Sequence, residues 1–359
     1  MFLTRRGRRA LAATVALLAL AASGCSVGGG GADDSSGSSR TTVVVATHDS
    51  WAMSKKVLAE FTRRTGYTVK IEPNGDVGQL TNKLVLTKGS PIADLAYGID
   101  NTFASRAVDQ GVLADYTPKH QPASAASYAL DDAHEADQLS PVDYGDVCVN
   151  VDDTWFAKKN LPEPKTFDDL LEPAYKGLLV TPGATTSSPG LAFLAATIGK
   201  YGDGWKDYWK KLVANGVKID AGWEDAYTVD FTAGGGNGDR PIVVSYSSSP
   251  PFTIPKGSTK PTTSALLDTC FRQVEYAGVL KGAGNPKGAQ EFIDFMLRKE
   301  FQAALPENMY VYPVDTTVTL PADWAKWAPT SPDPVEVPAA DIAAHRSEWL
   351  RDWRDLTSS

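Results

Sequence analysis

Histidine is scarce in this sequence, and the residue constellations that usually carry bond chemistry are missing with it. The four histidines stand apart at positions 48, 120, 134 and 345, without the spacing that would gather them around a metal. There is no Gly-x-Ser-x-Gly elbow, no His-Glu-x-x-His pair, no phosphate loop ending in Gly-Lys-Ser/Thr and no Cys-x-x-Cys. These gaps argue against an enzyme and against a metal or other cofactor. Basic residues are also in deficit, 35 Lys and Arg against 43 Asp and Glu. No basic stripe with interleaved aromatics appears, so a nucleic-acid partner is excluded. The apolar run from Ala10 to Ala22 is too short to cross a bilayer as a stable helix.

That short run follows Arg5, Arg6, Arg8 and Arg9 and reads as an export signal over residues 1–24. It ends at Ala22-Ser-Gly-Cys25, which resembles the cleavage box of bacterial lipoproteins and makes Cys25 the candidate for lipidation. The Arg5-Arg6 pair leaves a twin-arginine route open beside the general one. The segment after it, Gly28-Gly-Gly-Gly-Ala-Asp-Asp-Ser-Ser-Gly-Ser-Ser-Arg40, has nothing to pack. Residues 25–41 read as a flexible tether that holds a folded body roughly 20 Å from the membrane. Removal of residues 1–24 takes four arginines and no acid, leaving 31 basic against 43 acidic residues and a net charge of −12. Such a body attracts cations at long range. Export also places Cys148 and Cys270 where disulfides persist. From spacing alone they are either a bonded pair or two buried thiols.

From Thr42 onward, β-rich runs alternate with helical patterns. Thr42–Ala46 is an unbroken apolar strand, followed by helical spacing from Ser54 to Thr65 and closure at Gly66. The pattern continues with strand Val69–Ile71, a helix over about 79–88, strand Asp94–Tyr97 and a helix over 101–110 ending at Gly111. A second series comprises strand 178–181, helices over 189–201 and 205–215, strand 217–219, a helix over about 224–233 and strand 242–245. Two β-rich stretches, 142–151 and 271–279, lack helices of their own and read as strands crossing between the series. Helices over 286–298 and 338–356 close the chain as packing elements, and Gly234–Gly238 reads as a short exposed turn. The class is α/β with two largely parallel halves. Lobe 1 is expected over 42–143 plus 273–308, and lobe 2 over 144–272 plus 309–359.

Ligands of open α/β sheets bind at the carboxyl ends of the strands. In the first series those loops present Asp49, Asp76 and Asp100, each of which also suits a helix N-cap; three in equivalent places gather acid on one edge. In the second series, Thr181–Gly190 is a hydroxyl-rich loop opening a helix, with Ser188 expected at the N-cap and Pro189 at N1. Free N–H groups there, with Ser187 and Ser188, could take a phosphate or carboxylate through neutral donors. Trp223, Tyr227, Tyr246 and Phe252 stand among small polar residues in Gly222-Trp-Glu-Asp-Ala-Tyr227 and Ser245-Tyr-Ser-Ser-Ser-Pro-Pro-Phe252. Aromatic faces beside carboxylates and hydroxyls suit a flat cationic ligand. They equally suit aromatics half-buried at a domain surface.

Six segments in order and at similar spacing resemble the thiamine-binding substrate-binding proteins of bacterial ABC importers. They are Thr47-His-Asp-Ser-Trp51, Asp143-Tyr-Gly145, Thr186-Ser-Ser-Pro-Gly-Leu191, Gly222-Trp-Glu-Asp-Ala-Tyr227, Ser245-Tyr-Ser-Ser-Ser-Pro250 and Tyr312-Pro-Val314, within a likeness from about Val43 to Trp353. The resemblance implies a two-lobed, hinge-closing periplasmic-binding-protein (Venus-flytrap) fold with two crossing hinge strands. It implies that Trp223, Tyr246 and Phe252 hold the thiamine rings, that Tyr310 closes on them, that Asp76 is the acidic contact and that Ser187 and Ser188 form the phosphate side. Here His48 and Phe252 replace the family's usual tyrosines and Tyr310 its tryptophan, which keeps a ring at each place and changes the hydrogen-bonding groups. It further implies that the strands carrying Cys148 and Cys270 run side by side, and hence a disulfide. The expected protein is a monomeric, membrane-tethered, extracytoplasmic lipoprotein that delivers thiamine, or its mono- or diphosphate, to an importer's permease. The alternatives are an iron(III) binder using Tyr310 with Tyr312, a polyamine binder of the same fold, and a secreted hydrolase using Ser187 or Ser188.

Overall fold

The computed structural model describes residues 41–358. The export signal, Cys25 and the tether up to Arg40 lie outside the described residues.

Nine strands form one hydrogen-bonded sheet: β1 (Thr42–Thr47), β2 (Thr68–Pro73), β3 (Leu95–Asp100), β4 (Ser140–Asp152), β5 (Leu179–Pro182), β6 (Lys218–Asp220), β7 (Ile242–Tyr246), β8 (Thr263–Val279) and β9 (Tyr312–Pro313). Their order is β2-β1-β3-β8-β4-β7-β5-β6, with β9 on β4. β1 pairs in parallel with both β2 and β3, and β5 pairs in parallel with both β6 and β7. Between these two groups run the long strands β4 and β8, antiparallel to each other and to the groups they join. Parallel neighbours need crossovers, which is why helices punctuate each group. A fully apolar run such as Val43–Ala46 can be central because both of its faces are covered.

Local signals set most boundaries. Ser54 caps the Lys55–Thr65 helix by accepting from the Val57 N–H, and Gly66 ends it at φ 76°, where its N–H reaches Thr62 O at 2.8 Å. The first group packs on Phe61, Phe292, Phe295 and Phe301, with Phe61 and Phe292 edge to face at 4.9 Å. The second packs on Phe193, Trp209 and Trp353, and buried Trp209 keeps its indole N–H on Thr197 Oγ1 at 2.9 Å. Trp353 is carried by the Ala339–Thr357 helix, which lies against the Trp205–Ala214 helix.

Several expectations need correction. β8 begins at Thr263, eight residues before the expected 271, because Thr263–Leu266 pair with Val149–Asp152 across an irregularity in the ladder. Ser188 is inside its helix: the N-cap is Ser187, whose Oγ accepts from Gly190 N at 3.4 Å. The helix expected over 224–233 is a single π-helical turn, Asp225–Asp230. Gly234–Gly238 explains the early stop, because this segment folds back onto the turn's carbonyl end. A Cβ on Gly234 would lie 1.6 Å from Tyr227 O, and one on Gly238 2.1 Å from Asp230 O. The glycine run is therefore a close-approach segment as well as an exposed turn. Cys148 and Cys270 form a disulfide with Cα atoms 4.2 Å apart, joining β4 to the β8 segment.

Candidate functional site

The ends of the parallel strands and the middle of β8 line a cavity of about 440 Å³. Its aromatic side is built from two loops of the second half. Trp223 stacks on Tyr227 with centroids 5.0 Å apart, and Tyr246 meets Trp223 at 6.3 Å, edge on. Trp223 is fixed by its Nε1–H, which donates to Ser245 Oγ at 3.0 Å, and that hydroxyl contacts Ser249 Oγ at 2.8 Å. The Tyr246 ring lies against Gly145, where a Cβ would come within 2.8 Å of it, and its hydroxyl donates to Gln273 Oε1 at 3.0 Å. The small residues around these aromatics thus serve to seat the rings. Tyr227 is also buried among Val180, Phe231 and Val243, so it belongs to the core as well as to the wall.

Phe252 and Tyr310 close the far end, ring on ring with centroids 3.4 Å apart. Tyr310 adopts φ 60°, and its carbonyl accepts from Ser248 Oγ at 2.5 Å. A left-handed tyrosine is uncommon, and here it turns the chain between the Leu305–Met309 helix and β9.

The acids come from the first half, from the crossing strand β8 and, at Glu224, from the turn that carries Trp223 and Tyr227. Asp76 caps the Val77–Leu86 helix in a capping box with Gln79. The same carboxylate reaches across the cleft, accepting from Trp223 N at 2.9 Å and Ser188 N at 3.3 Å. Burial pushes the Asp76 carboxyl up, against these bonds. The Ser188 N–H that the Thr181–Gly190 loop was expected to offer an anion is therefore already held by a carboxylate. Glu224 and Glu275 add two more acids to the lining, and no Lys or Arg lines it among the described residues.

The other expected residues divide. His48 is on the wall and buried, its Nδ1 2.9 Å from Ser50 Oγ and its Nε2 3.4 Å from Glu275 Oε1. Burial lowers it to about 4, so it is a neutral imidazole at physiological pH. Its ring lies against Gly98, where a Cβ would fall 2.3 Å from His48 Cδ2. Asp49 is exposed and outside the cavity; its carboxylate accepts from Gly75 N at 2.8 Å and ties two loops together. Asp100 is no loop residue. It ends β3, fully buried, and accepts from Thr102 N, Thr102 Oγ1, Phe103 N and Ser188 Oγ. Burial pushes it up to about 6 against those four bonds. Ser188 lines the cavity, whereas Ser187 is fully buried outside the lining, with its hydroxyl on Asp76.

Sequence reasoning missed Glu275 and Gln273. Their signal was present, since both stand two residues apart on one face of the expected crossing strand, where a buried polar side chain calls for a partner or a ligand.

Comparison with known proteins follows the same lines. The sequence pattern of the bacterial extracellular solute-binding protein family matches residues 90–332. The thiamine-binding periplasmic protein of Escherichia coli is 27% identical over 319 residues, covering 88% of this chain and 93% of that protein. Among solved structures, a periplasmic thiamin binding protein superposes with a TM-score of 0.77 at 28% identity, covering 89% of this chain and 96% of that one. Iron-bound HitA of Pseudomonas aeruginosa gives 0.65 at 23% identity over 88% and 99%, and shares the fold alone.

Proposed function

This chain belongs to the bacterial extracellular solute-binding protein family, and we propose that it captures thiamine, or a thiamine phosphate, between its two lobes and hands it to the permease of an ABC importer. The observation that carries the reading is the pairing of an aromatic wall with an acidic one. Trp223, Tyr227 and Tyr246 face a cavity whose charged side chains, among the described residues, are the acids Asp76, Glu224 and Glu275. A flat thiazolium cation is favoured by aromatic faces and by carboxylates, and an aminopyrimidine edge by the hydrogen-bonding groups of Gln273, His48 and Glu275. The names of the relatives that share most of the chain's length support the same ligand. Cys25 lipidation, the tether over 25–41, an extracytoplasmic location and a monomeric state complete the proposal, and its family is one of binding proteins, not of enzymes.

The alternatives fit less well. Iron(III) would want Tyr310 and Tyr312 side by side at the cleft, yet the Tyr312 hydroxyl donates to Ala328 O at 2.5 Å and its ring packs against Trp324. A serine hydrolase would need a His or Lys base on Ser187 or Ser188. Ser188 Oγ instead donates to Asp100, and Ser187 Oγ receives the Gly190 N–H. Titration by tryptophan fluorescence and calorimetry with thiamine, its phosphates, spermidine and iron tests the reading. Saturable quenching that disappears on Trp223→Ala supports it, and no response to any thiamine compound ends it.

A further inference from the structure

Three carboxyl groups stand in a row across three adjacent strands under the cavity. In the ladder, Glu275 of β8 is the partner of Asp100 on β3 and of Asp143 on β4. Glu275 and Asp143 are both buried, with their carboxyl groups close enough to share a hydrogen bond. The Tyr97 hydroxyl donates to one oxygen of Asp143, while the other, Oδ1, is buried and receives no N–H or hydroxyl. The group that can complete Oδ1 is a protonated Glu275. His48 Nε2, also buried, lies 3.4 Å from Glu275 Oε1, and both residues line the cavity.

We propose that Asp143 and Glu275 share one proton in the empty protein, and that capture of a cationic ligand expels it, with Glu275 the carboxylate that then faces the bound charge. The proposal rests on the ligand reading above. Two carboxylates this close cannot both ionise cheaply in a buried site, and burial together with Asp143 holds Glu275 well above the usual carboxylate range. Two further acids reinforce this, Asp100 of β3 and Asp76 of the loop after β2. The Tyr97 hydroxyl of β3 works the other way by donating to Asp143, and the uncharged Tyr246 of β7 and neutral His48 of the loop after β1 also face the pair. Arg346, on the Ala339–Thr357 helix, acts on the far side at Asp100. A ligand cation supplies the positive charge that this wall lacks, so the pair gives its proton to the buffer and ionises fully.

The test is calorimetry of thiamine binding to the intact protein in phosphate and in Tris, from pH 5.5 to 8.5. The expected result is a buffer-dependent heat equivalent to about one proton released, with affinity strengthening as pH rises by up to roughly tenfold per unit. Glu275→Gln keeps a donor for Asp143 Oδ1 and should abolish both the release and the pH slope. Asp143→Asn should do the same and serves if the first variant folds poorly. Tight thiamine binding with equal heats in both buffers overturns the proposal and leaves the ligand reading standing. Absence of binding by any thiamine compound overturns both.

Discussion

The Asp76 carboxylate, which caps a helix in one half of the molecule, accepts the backbone N–H of Trp223 in the other half at 2.9 Å. One side chain therefore starts a helix, holds the aromatic wall in place and puts acid on the cavity. Capping and binding separate on substitution. Asp76→Asn keeps a good N-cap and should leave the melting temperature nearly unchanged while weakening thiamine binding about tenfold or more, the scale of a lost charge-assisted bond, ~1.5–3 kcal/mol. Asp76→Ala should lose the same affinity and in addition about 0.5–2 kcal/mol of stability. Thermal denaturation beside calorimetry reads both, and an affinity untouched by either change would contradict the assignment.

Gly78 marks the place where the halves touch backbone to backbone. A Cβ there would lie 2.8 Å from the carbonyl carbon and oxygen of Thr186, and the Gln79 N–H already bonds Thr186 O at 3.2 Å. Gly78→Ala should wedge this contact open. Ligand affinity should fall severalfold while the helix itself gains from the better helix former, and small-angle scattering should report a more open ligand-bound particle. Unchanged affinity would show that the contact gives way easily.

Asp100 and His48 bend the pH dependence in opposite directions. Asp100 moves from an ordinary 3.8 to about 6 on folding, so the folded state holds the extra proton. Its penalty is absent below pH 4, grows as pH rises from about 4 to 6 and is complete above. Asp100→Asn removes the penalty, and the melting temperature of the variant relative to the wild type should climb across that window. His48 moves from 6.5 down to about 4. Here the unfolded chain binds the proton, and stability is lost as pH falls from 6.5 toward 4. His48→Gln should flatten that limb. Parallel curves for variant and wild type would refute either assignment.

The Cys148–Cys270 bond closes a sequence separation of 122 residues between strands that also share hydrogen bonds. Reduction, or Cys148→Ser with Cys270→Ser, should cost about 2–4 kcal/mol in denaturant titrations. Two free thiols by mass spectrometry in the oxidised protein would remove the basis for that figure.

Much of this architecture was legible because the signals were local. The alternation of apolar strands with capped helices marked both halves, and Gly66 and Gly111 fell where helices end. Asp76, Trp223 and Tyr246 could be placed at strand ends and meet at the cavity. The rest depended on chain returning from a distance. Nothing within 224–233 reports that Gly234–Gly238 folds back onto it, so helical spacing overran the π turn. Asp100 looked like a loop acid because its bonds to Thr102 and Phe103 are local, while the donor that marks it as buried between the halves, Ser188, lies 88 residues away. Glu275 has the same character: its meaning lies in Asp143 and Asp100, which only the sheet register places beside it.

The second half holds Asp76 through two main-chain amides, those of Trp223 and Ser188, and through the Ser187 hydroxyl. Relatives are thus free to exchange the aromatic side chains on that bank of the cleft, and so retune what is carried, while two amides and one small hydroxyl keep the clasp between the lobes. Ligand preference and closure can diverge on separate evolutionary clocks.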